Sequence, residues 1–406
     1  MRSDFLVFLV LLSVQVYLIG QLRAYLQNRI SNAKIRQKLI FCSTCFPILT
    51  LLPLAWRAYF GFYENQPYFW FVRELFTLCS IWWMGSVGCG LVLFAYNLFC
   101  RLILSVPQQT PAQDVDLKRR TFIRKGFVMA AAAPFMVSGY GGLLERRRFE
   151  LERFDIGIGG LSSSLSQLKI AQLSDIHVGP FMAPEELAEY VDAVNRLQPD
   201  VIALTGDFVT SRRDEVLPCV EALAKLKARY GIFACLGNHD IYAGVASELT
   251  RRFRESGIYM LRNDAIAVQV GNSKLGILGI DDLGRGRPNL KRALTAAQND
   301  PAEVNILLSH RPEIFPRAAQ EGIDLVLSGH YHGGQVKLLP DPQSLSIARF
   351  MTPYADGLFT LPFKSGNVQD AKKESTLFVS RGVGVTALPI RINCPPQIAH
   401  LTLKRA

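Results

Sequence analysis

Apolar residues fall into two regimes along this chain. Over the first 150 positions they form long blocks that charge barely interrupts. Beyond Phe149 they form runs of strand length, closed by Gly, Asp or His. Four of the long blocks carry no charge: 5–20, 39–56, 75–100 and 126–144. Crossing a bilayer takes a helix of about 20 predominantly apolar residues. The third block meets that requirement best. The first is short and contains Gln15, and the fourth is rich in Ala and Gly rather than Leu. The pattern predicts an all-helical membrane region over 1–148 with three to four transmembrane helices.

From 149 to 406 the period shortens. Runs at Leu168–Leu173, Val201–Leu204, Gly231–Leu236, Leu275–Ile280, Val304–Leu308 and Ile323–Leu327 read as strands. Helical patterns lie between several of them, at Pro184–Leu197, Asp214–Ala228 and Pro312–Gln320. Such alternation predicts an α/β domain. Late strands are expected at Thr376–Ser380 and Gln397–Leu403. Residues 336–374 read as a long irregular excursion, of the kind that is usually functional or mobile.

Charge sharpens the division. Residues 1–150 carry 17 basic and 7 acidic side chains, and the remainder 28 and 27. The net charge of +11 thus belongs almost wholly to the membrane region, which leaves the second region no basic face for nucleic acid. The basic residues cluster in the first loop (Arg23, Arg29, Lys34, Arg36, Lys38) and after the third block (Arg101, Lys118, Arg119, Arg120, Arg124, Lys125). Basic loops stay cytoplasmic. If all four blocks cross, the second region emerges on the far side, as an extracytoplasmic domain of a multi-pass membrane protein. Arg119-Arg120-Thr121-Phe122-Ile123-Arg124 is similar to a twin-arginine export signal, here internal. Arg146, Arg147 and Arg148 oppose this topology or meet anionic headgroups. The eight cysteines are scattered, and Cys42-x-x-Cys45 sits in an apolar run with no second pair, so no disulfide framework or metal knuckle is visible.

The candidate chemistry lies in the second region. Five of the six histidines, His177, His239, His310, His330 and His332, stand at expected strand ends, where an open α/β sheet places its ligands. In an extended chain residues two apart project to one side, so Asp175 and His177 can grip a single cation. His330 and His332 repeat that spacing with two imidazoles. Asp207 offers two oxygens, enough to bridge two cations. Gly237-Asn238-His239-Asp240 supplies an amide oxygen and an imidazole beside a carboxylate.

The ordered set Asp-x-His, Gly-Asp, Gly-Asn-His-Asp, His and Gly-His-x-His resembles the signature of the calcineurin-like metallophosphoesterase superfamily. The resemblance implies a four-layer α/β/β/α sandwich. Position by position it implies that Asp175, His177 and His332 bind one metal, that Asn238, His310 and His330 bind a second, and that Asp207 bridges both. His239 would face the phosphate and protonate the leaving oxygen, with Asp240 orienting it. Two divalent cations, Mn, Fe or Zn with Mn favoured, suit the mixed N/O donors. They would activate a hydroxide for in-line attack on a phosphodiester, pyrophosphate or phosphomonoester.

Downstream, Gly333-Gly334-Gln335, Ser380-Arg381-Gly382-Val383-Gly384 and Pro389-Ile390-Arg391-Ile392-Asn393 resemble a branch of bacterial membrane-associated or twin-arginine-exported phosphoesterases. They are also similar to animal transmembrane proteins with a metallophosphoesterase domain. That branch points to the bacterial cytoplasmic membrane and to membrane lipids as neighbours. Gln397 stands where it usually has Glu. Arg381 and Arg391 read as turn and sheet-edge residues rather than phosphate contacts. Asp207 lacks a following Asp-Arg-Gly element, which disfavours a protein phosphatase. A lipid-linked pyrophosphate of the UDP-diacylglucosamine type is an alternative substrate, and a non-catalytic sensor of a phosphorylated ligand is an alternative of another class.

Overall fold

The computed structural model describes residues 2–54, 69–104, 117–362 and 374–406. The charge-poor loop with Arg57 and Glu64, the side chains of Arg119, Arg120 and Arg124, and residues 363–373 of the long excursion lie outside the described residues. The chain divides into two compact units, Met1–Leu144 and Glu145–Ala406.

The first unit is helical: α1 (Arg2–Arg29), α2 (Ala33–Thr50), α3 (Phe69–Leu104) and α4 (Leu117–Leu143). Four stretches, Phe8–Arg29, Ala33–Leu54, Phe71–Phe99 and Lys125–Arg147, are long and apolar enough to cross a membrane. The first apolar block, short in the sequence, gains its length because the helix continues through the polar residues up to Arg29. Small residues let α3 and α4 approach closely. A Cβ on Gly88 would meet Pro134 Cβ at 2.5 Å. Asn97 Nδ2 donates to Tyr17 Oη (3.1 Å) and Gln21 Oε1 (3.2 Å), which joins α3 to α1.

The second unit holds two six-stranded sheets. In the first, β1 (Glu150–Ile158), β12 (Gln397–Arg405), β2 (Lys169–Leu173), β3 (Val201–Thr205), β4 (Ile232–Cys235) and β5 (Ile258–Met260) lie side by side in that order. The second runs β10 (Gly357–Pro362), β11 (Glu374–Val379), β9 (Leu325–Ser328), β8 (Val304–Leu308), β7 (Ser273–Gly279) and β6 (Asp264–Val270). The strand pleat sorts side chains between layers. Val201, Ala203, Phe233 and Ile170 meet Ile277, Ile306, Leu325 and Phe378 in a core between the sheets. Their neighbours Ile202, Leu204 and Ala234 face outward onto α5 (Pro184–Arg196), α6 (Val216–Leu223) and α8 (Ala246–Glu255). Leu278, Leu307 and Val326 do the same beneath α9 (Leu290–Gln298) and α10 (Phe315–Gln320). Between β4 and α8 stands the short α7 (Asn238–Tyr242). The result is the α/β/β/α order.

Local differences from the sequence reading have physical reasons. Helix α6 is shorter than the expected Asp214–Ala228 and starts two residues before Pro218, which is tolerated only in a helix's first turn. The excursion 336–374 is not wholly irregular. It contains α11 (Ile347–Met351) and edge strand β10, which pairs antiparallel with β11.

Candidate metal centre

Every candidate side chain follows a strand that points its C-terminal end the same way. Asp175 and His177 follow β2, Asp207 follows β3, and Asn238, His239 and Asp240 open α7 just after β4. From the other sheet, His310 follows β8, and His330 and His332 follow β9. The parallel pairings β2–β3–β4 and β8–β9 bring these ends into two adjoining rows.

The donors converge. His177 Nε2 lies 3.1 Å from His332 Nε2, and His332 Nε2 lies 3.3 Å from Asp175 Oδ1. His310 Nε2 is 3.2 Å from Asp207 Oδ2 and 3.2 Å from His330 Nδ1. Asp207 Oδ2 also stands 3.5 Å from His177 Nε2, so its carboxylate touches both clusters. Asp175, His177 and His332 form one possible ion-holding group, and Asp207, His310 and His330 another.

The convergence is not achieved as an extended chain would do it. Asp175 (φ 52°), His177 (53°), Asp207 (55°), His330 (76°) and His332 (51°) all occupy the left-handed region. For residues with a Cβ this costs of order 1–3 kcal/mol each, and it persists only where the surroundings enforce it. Tight bends after the strands, rather than the pleat, aim these side chains. Gly206 makes one such bend. Its φ is +86°, and a Cβ there would meet Gly237 N at 2.6 Å and His310 Nδ1 at 2.9 Å.

Neighbouring groups set the protonation of the donors. His310 Nδ1 faces Thr205 O at 2.8 Å, which directs Nε2 to Asp207. Burial disfavours a charge on His310, but the adjacent Asp207 carboxylate outweighs it and pushes the imidazole up to about 10. Asp207 is correspondingly held well below the usual carboxylate range, against the effect of its own burial. Burial, helped by the charge of His239, lowers His177 to about 3. Burial also drives His330 and His332 far down. Those three rings are therefore neutral at pH 7, with lone pairs to offer.

The site fits divalent cations. Donors about 2.0–2.2 Å from one ion lie about 3 Å apart, as these do. Asn238 Oδ1 is shielded from solvent and has no hydrogen-bond partner, and His177 Nδ1 is likewise buried and unpartnered.

One role differs from the sequence reading. Asp240 does not orient His239. Its Oδ1 accepts from Phe208 N (2.8 Å) and Val209 N (3.3 Å), and its Oδ2 from Asp207 N (3.0 Å) and Gly237 N (2.8 Å). A buried carboxylate takes backbone donors first because they cannot be left unsatisfied. It shapes the Asp207 turn instead. His239 is held by Thr210 O, 2.5 Å from Nδ1, and its ring centroid stands 4.6 Å from that of His177. Neither Thr205 nor Thr210 was readable as a site residue, because each acts through a carbonyl that every residue has. Arg391 is fully buried and donates to the carbonyls of Arg381, Gly382, Gly384 and Cys394, a structural role as expected. Arg381 pairs with Glu150 (3.0 Å) and Glu152 (3.2 Å), while Gln397 Oε1 accepts from Arg381 N.

Residues 168–334 match the calcineurin-like phosphoesterase family. A transmembrane protein with metallophosphoesterase domain from Danio rerio is 30% identical over 384 residues, covering 89% of this chain and 81% of that one. The chain belongs to the calcineurin-like metallophosphoesterase family. The metallophosphoesterase YkuE of Bacillus subtilis is 28% identical over 298 residues, 71% of this chain and 98% of its own. A Helicobacter pylori metallophosphoesterase is 29% identical over 374 residues, 87% of this chain and 92% of its own. As a metallophosphoesterase the chain is a phosphoric ester hydrolase, and the histidine–aspartate cluster is its candidate metal site.

Proposed function

We propose that this chain is a membrane-anchored phosphoesterase that uses two divalent cations to hydrolyse a phosphodiester, pyrophosphate or phosphomonoester. The observation that carries the reading is Asp207 Oδ2, within 3.5 Å of donors from both halves of the site. Asp175, His177 and His332 would hold one cation and Asn238, His310 and His330 the other, with Asp207 common to both. When bound, such a pair supplies Lewis-acid stabilisation of the phosphoryl oxygens and of the attacking and leaving oxygens. Four imidazoles, two carboxylates and an amide favour Mn²⁺, Fe or Zn²⁺ over Mg²⁺ and Ca²⁺.

The protein's own groups do the rest. Thr210 O accepts a hydrogen bond from Nδ1–H of His239, which turns Nε2 away from the backbone as the atom that carries a proton toward the substrate. From there it protonates the leaving oxygen. Asp240 keeps the Asp207 turn in place through four backbone donors, and His239 N, donating to Asp207 Oδ1 at 2.8 Å, ties the proton donor to the shared carboxylate. The four apolar helices support anchoring. The test is direct: purify the full chain in detergent, measure bound transition metals, and assay bis-p-nitrophenyl phosphate before and after chelation. Activity lost on chelation and restored by Mn²⁺ supports the proposal. Equal turnover by chelated, metal-free protein ends it.

A further inference from the structure

The second unit buries its apolar side chains well, with one exception. Seven of its eleven exposed large hydrophobic residues, among those described, lie between positions 338 and 358. They include Leu338, Leu339 and Leu345, then Ile347, Phe350 and Met351, with Phe350 78% and Ile347 73% exposed. Soluble surfaces scatter such residues singly, and a concentration marks an interaction site.

The segment is built to present them. Lys337 and Ser346 form an antiparallel bridge, and Leu338 N donates to Leu345 O (3.0 Å), so Leu338 and Leu345 face each other across a narrow hairpin. Ser346 then starts α11. Ile347, Phe350 and Met351 stand at i, i+3 and i+4, one face of a helix, while Ala348 is the buried residue. The amphipathic order is inverted, with the apolar face outward. Arg349 binds the helix back to the hairpin through the carbonyl of Pro342 (3.0 Å) and to the turn that follows through that of Pro353 (2.9 Å). The buried Lys337–Asp356 pair (2.6 Å) supports the base.

The segment's attachments indicate what covers it. Asn393 Nδ2 donates to the carbonyls of Lys337 and Leu338, and the next residue, Cys394, donates its N–H to Glu145 Oε1 at 2.8 Å. Glu145 is the first residue of the second unit and lies in the last turn of the fourth membrane-capable stretch, Lys125–Arg147. The apolar hairpin is thus bonded, through two adjacent residues, to the point where the chain leaves that stretch. Arg147 and Arg148, both exposed, follow at once. Only two residues separate Arg147 from β1 at Glu150, a reach of roughly 10 Å. An exposed apolar segment tied to a chain point that leads directly into exposed basic residues has the composition of surfaces that lie in the lipid–water interface.

We propose that Leu338–Met351 is an interfacial docking surface that inserts its apolar tips among the headgroups and upper acyl chains of the bilayer. Ser346 also packs directly on the His332 turn, where a Cβ on Gly334 would meet Ser346 Cβ at 2.6 Å. Docking therefore holds the metal site at a fixed distance from the membrane surface. The inference rests on the anchoring part of the proposed function.

The test uses the full chain in vesicles of phosphatidylcholine with a quarter phosphatidylglycerol. A photo-crosslinking p-benzoylphenylalanine replaces Phe350 in one variant, Leu91 in α3 in a second, and Lys291 on α9 in a third. Mass spectrometry counts lipid adducts after illumination. The expected result is lipid labelling from position 350 roughly tenfold above position 291, approaching that from position 91. Labelling from 91 with only background from 350 overturns the docking surface and leaves anchoring intact. Background from both removes anchoring and the docking surface with it. Adducts from 350 to protein, whether a second copy or the chain's own helices, also overturn the proposal.

Discussion

A cation that approaches Asp207 must first displace a proton. His310 is raised to about 10 by that carboxylate, so at pH 7 it is protonated, whereas His177, His330 and His332 are depressed and already neutral. Binding Mn²⁺ at pH 7 should therefore release about one proton. Affinity should rise with pH up to about 10, because rising pH removes the competing proton. Calorimetry in buffers of different ionisation enthalpy reads this directly, and buffer-independent heats contradict it. Two substitutions separate the roles of the site. Asp207→Asn removes the oxygen shared by both clusters and should cost both metal content and hydrolysis. His239→Ala should keep the metals and lose about 10²–10⁴ in rate, the usual contribution of a positioned proton donor. A His239→Ala protein that turns over normally would refute that assignment. All seven proposed donors were visible in the sequence because side-chain type and strand-end spacing both mark them. The carbonyls of Thr205 and Thr210 and the four-donor task of Asp240 were not, since backbone groups carry no residue signature.

At the level of strands and turns, the site depends on how tightly the two sheets' ends meet. Gly329 directly follows β9, and a Cβ there would fall 2.0 Å from Ser174 Oγ and 2.2 Å from Asp175 Oδ2. Gly329→Ala should push the β2 turn and Asp175 aside. Hydrolysis should fall by at least about tenfold, while stability drops by about 1–3 kcal/mol, the typical cost of local overpacking. Activity and thermal melting measured on the same preparation check it, and unchanged turnover would show that the turns are not in register as described. The central strands were legible because they are apolar on both faces: β3 and β4 are buried throughout. Strands β1, β6 and β10 went unread because they lie at sheet edges and bury few of their residues, so their composition resembles loop. Helix α8 was missed for a related reason. Only Leu249 and Phe253 anchor it, among many charged neighbours.

For the whole molecule, charge arithmetic predicts which side of the membrane the phosphoesterase unit occupies. If all four stretches cross, both chain ends lie on one side. The first loop is basic, and so is the stretch between the third and fourth crossings. Both should remain cytoplasmic, which puts the catalytic unit outside. The decision falls on the fourth stretch, Lys125–Arg147, which has basic residues at both ends. Lys118, Arg119, Arg120, Arg124 and Lys125 hold its start inside, and Arg146, Arg147 and Arg148 resist export of its end. Five against three favours the outside, by a margin small enough to reverse. Alkaline phosphatase fused after Ala406 should be active in a bacterial host, and green fluorescent protein at the same point dark. Replacing Arg119, Arg120 and Arg124 with Gln should reduce the phosphatase signal and raise fluorescence, because three positives then hold the far end against two. Replacing Arg147 and Arg148 with Gln should leave the fusion outside. A fluorescent fusion in the unmodified chain would mean that the arginines after the fourth stretch win and that the catalytic unit works in the cytoplasm.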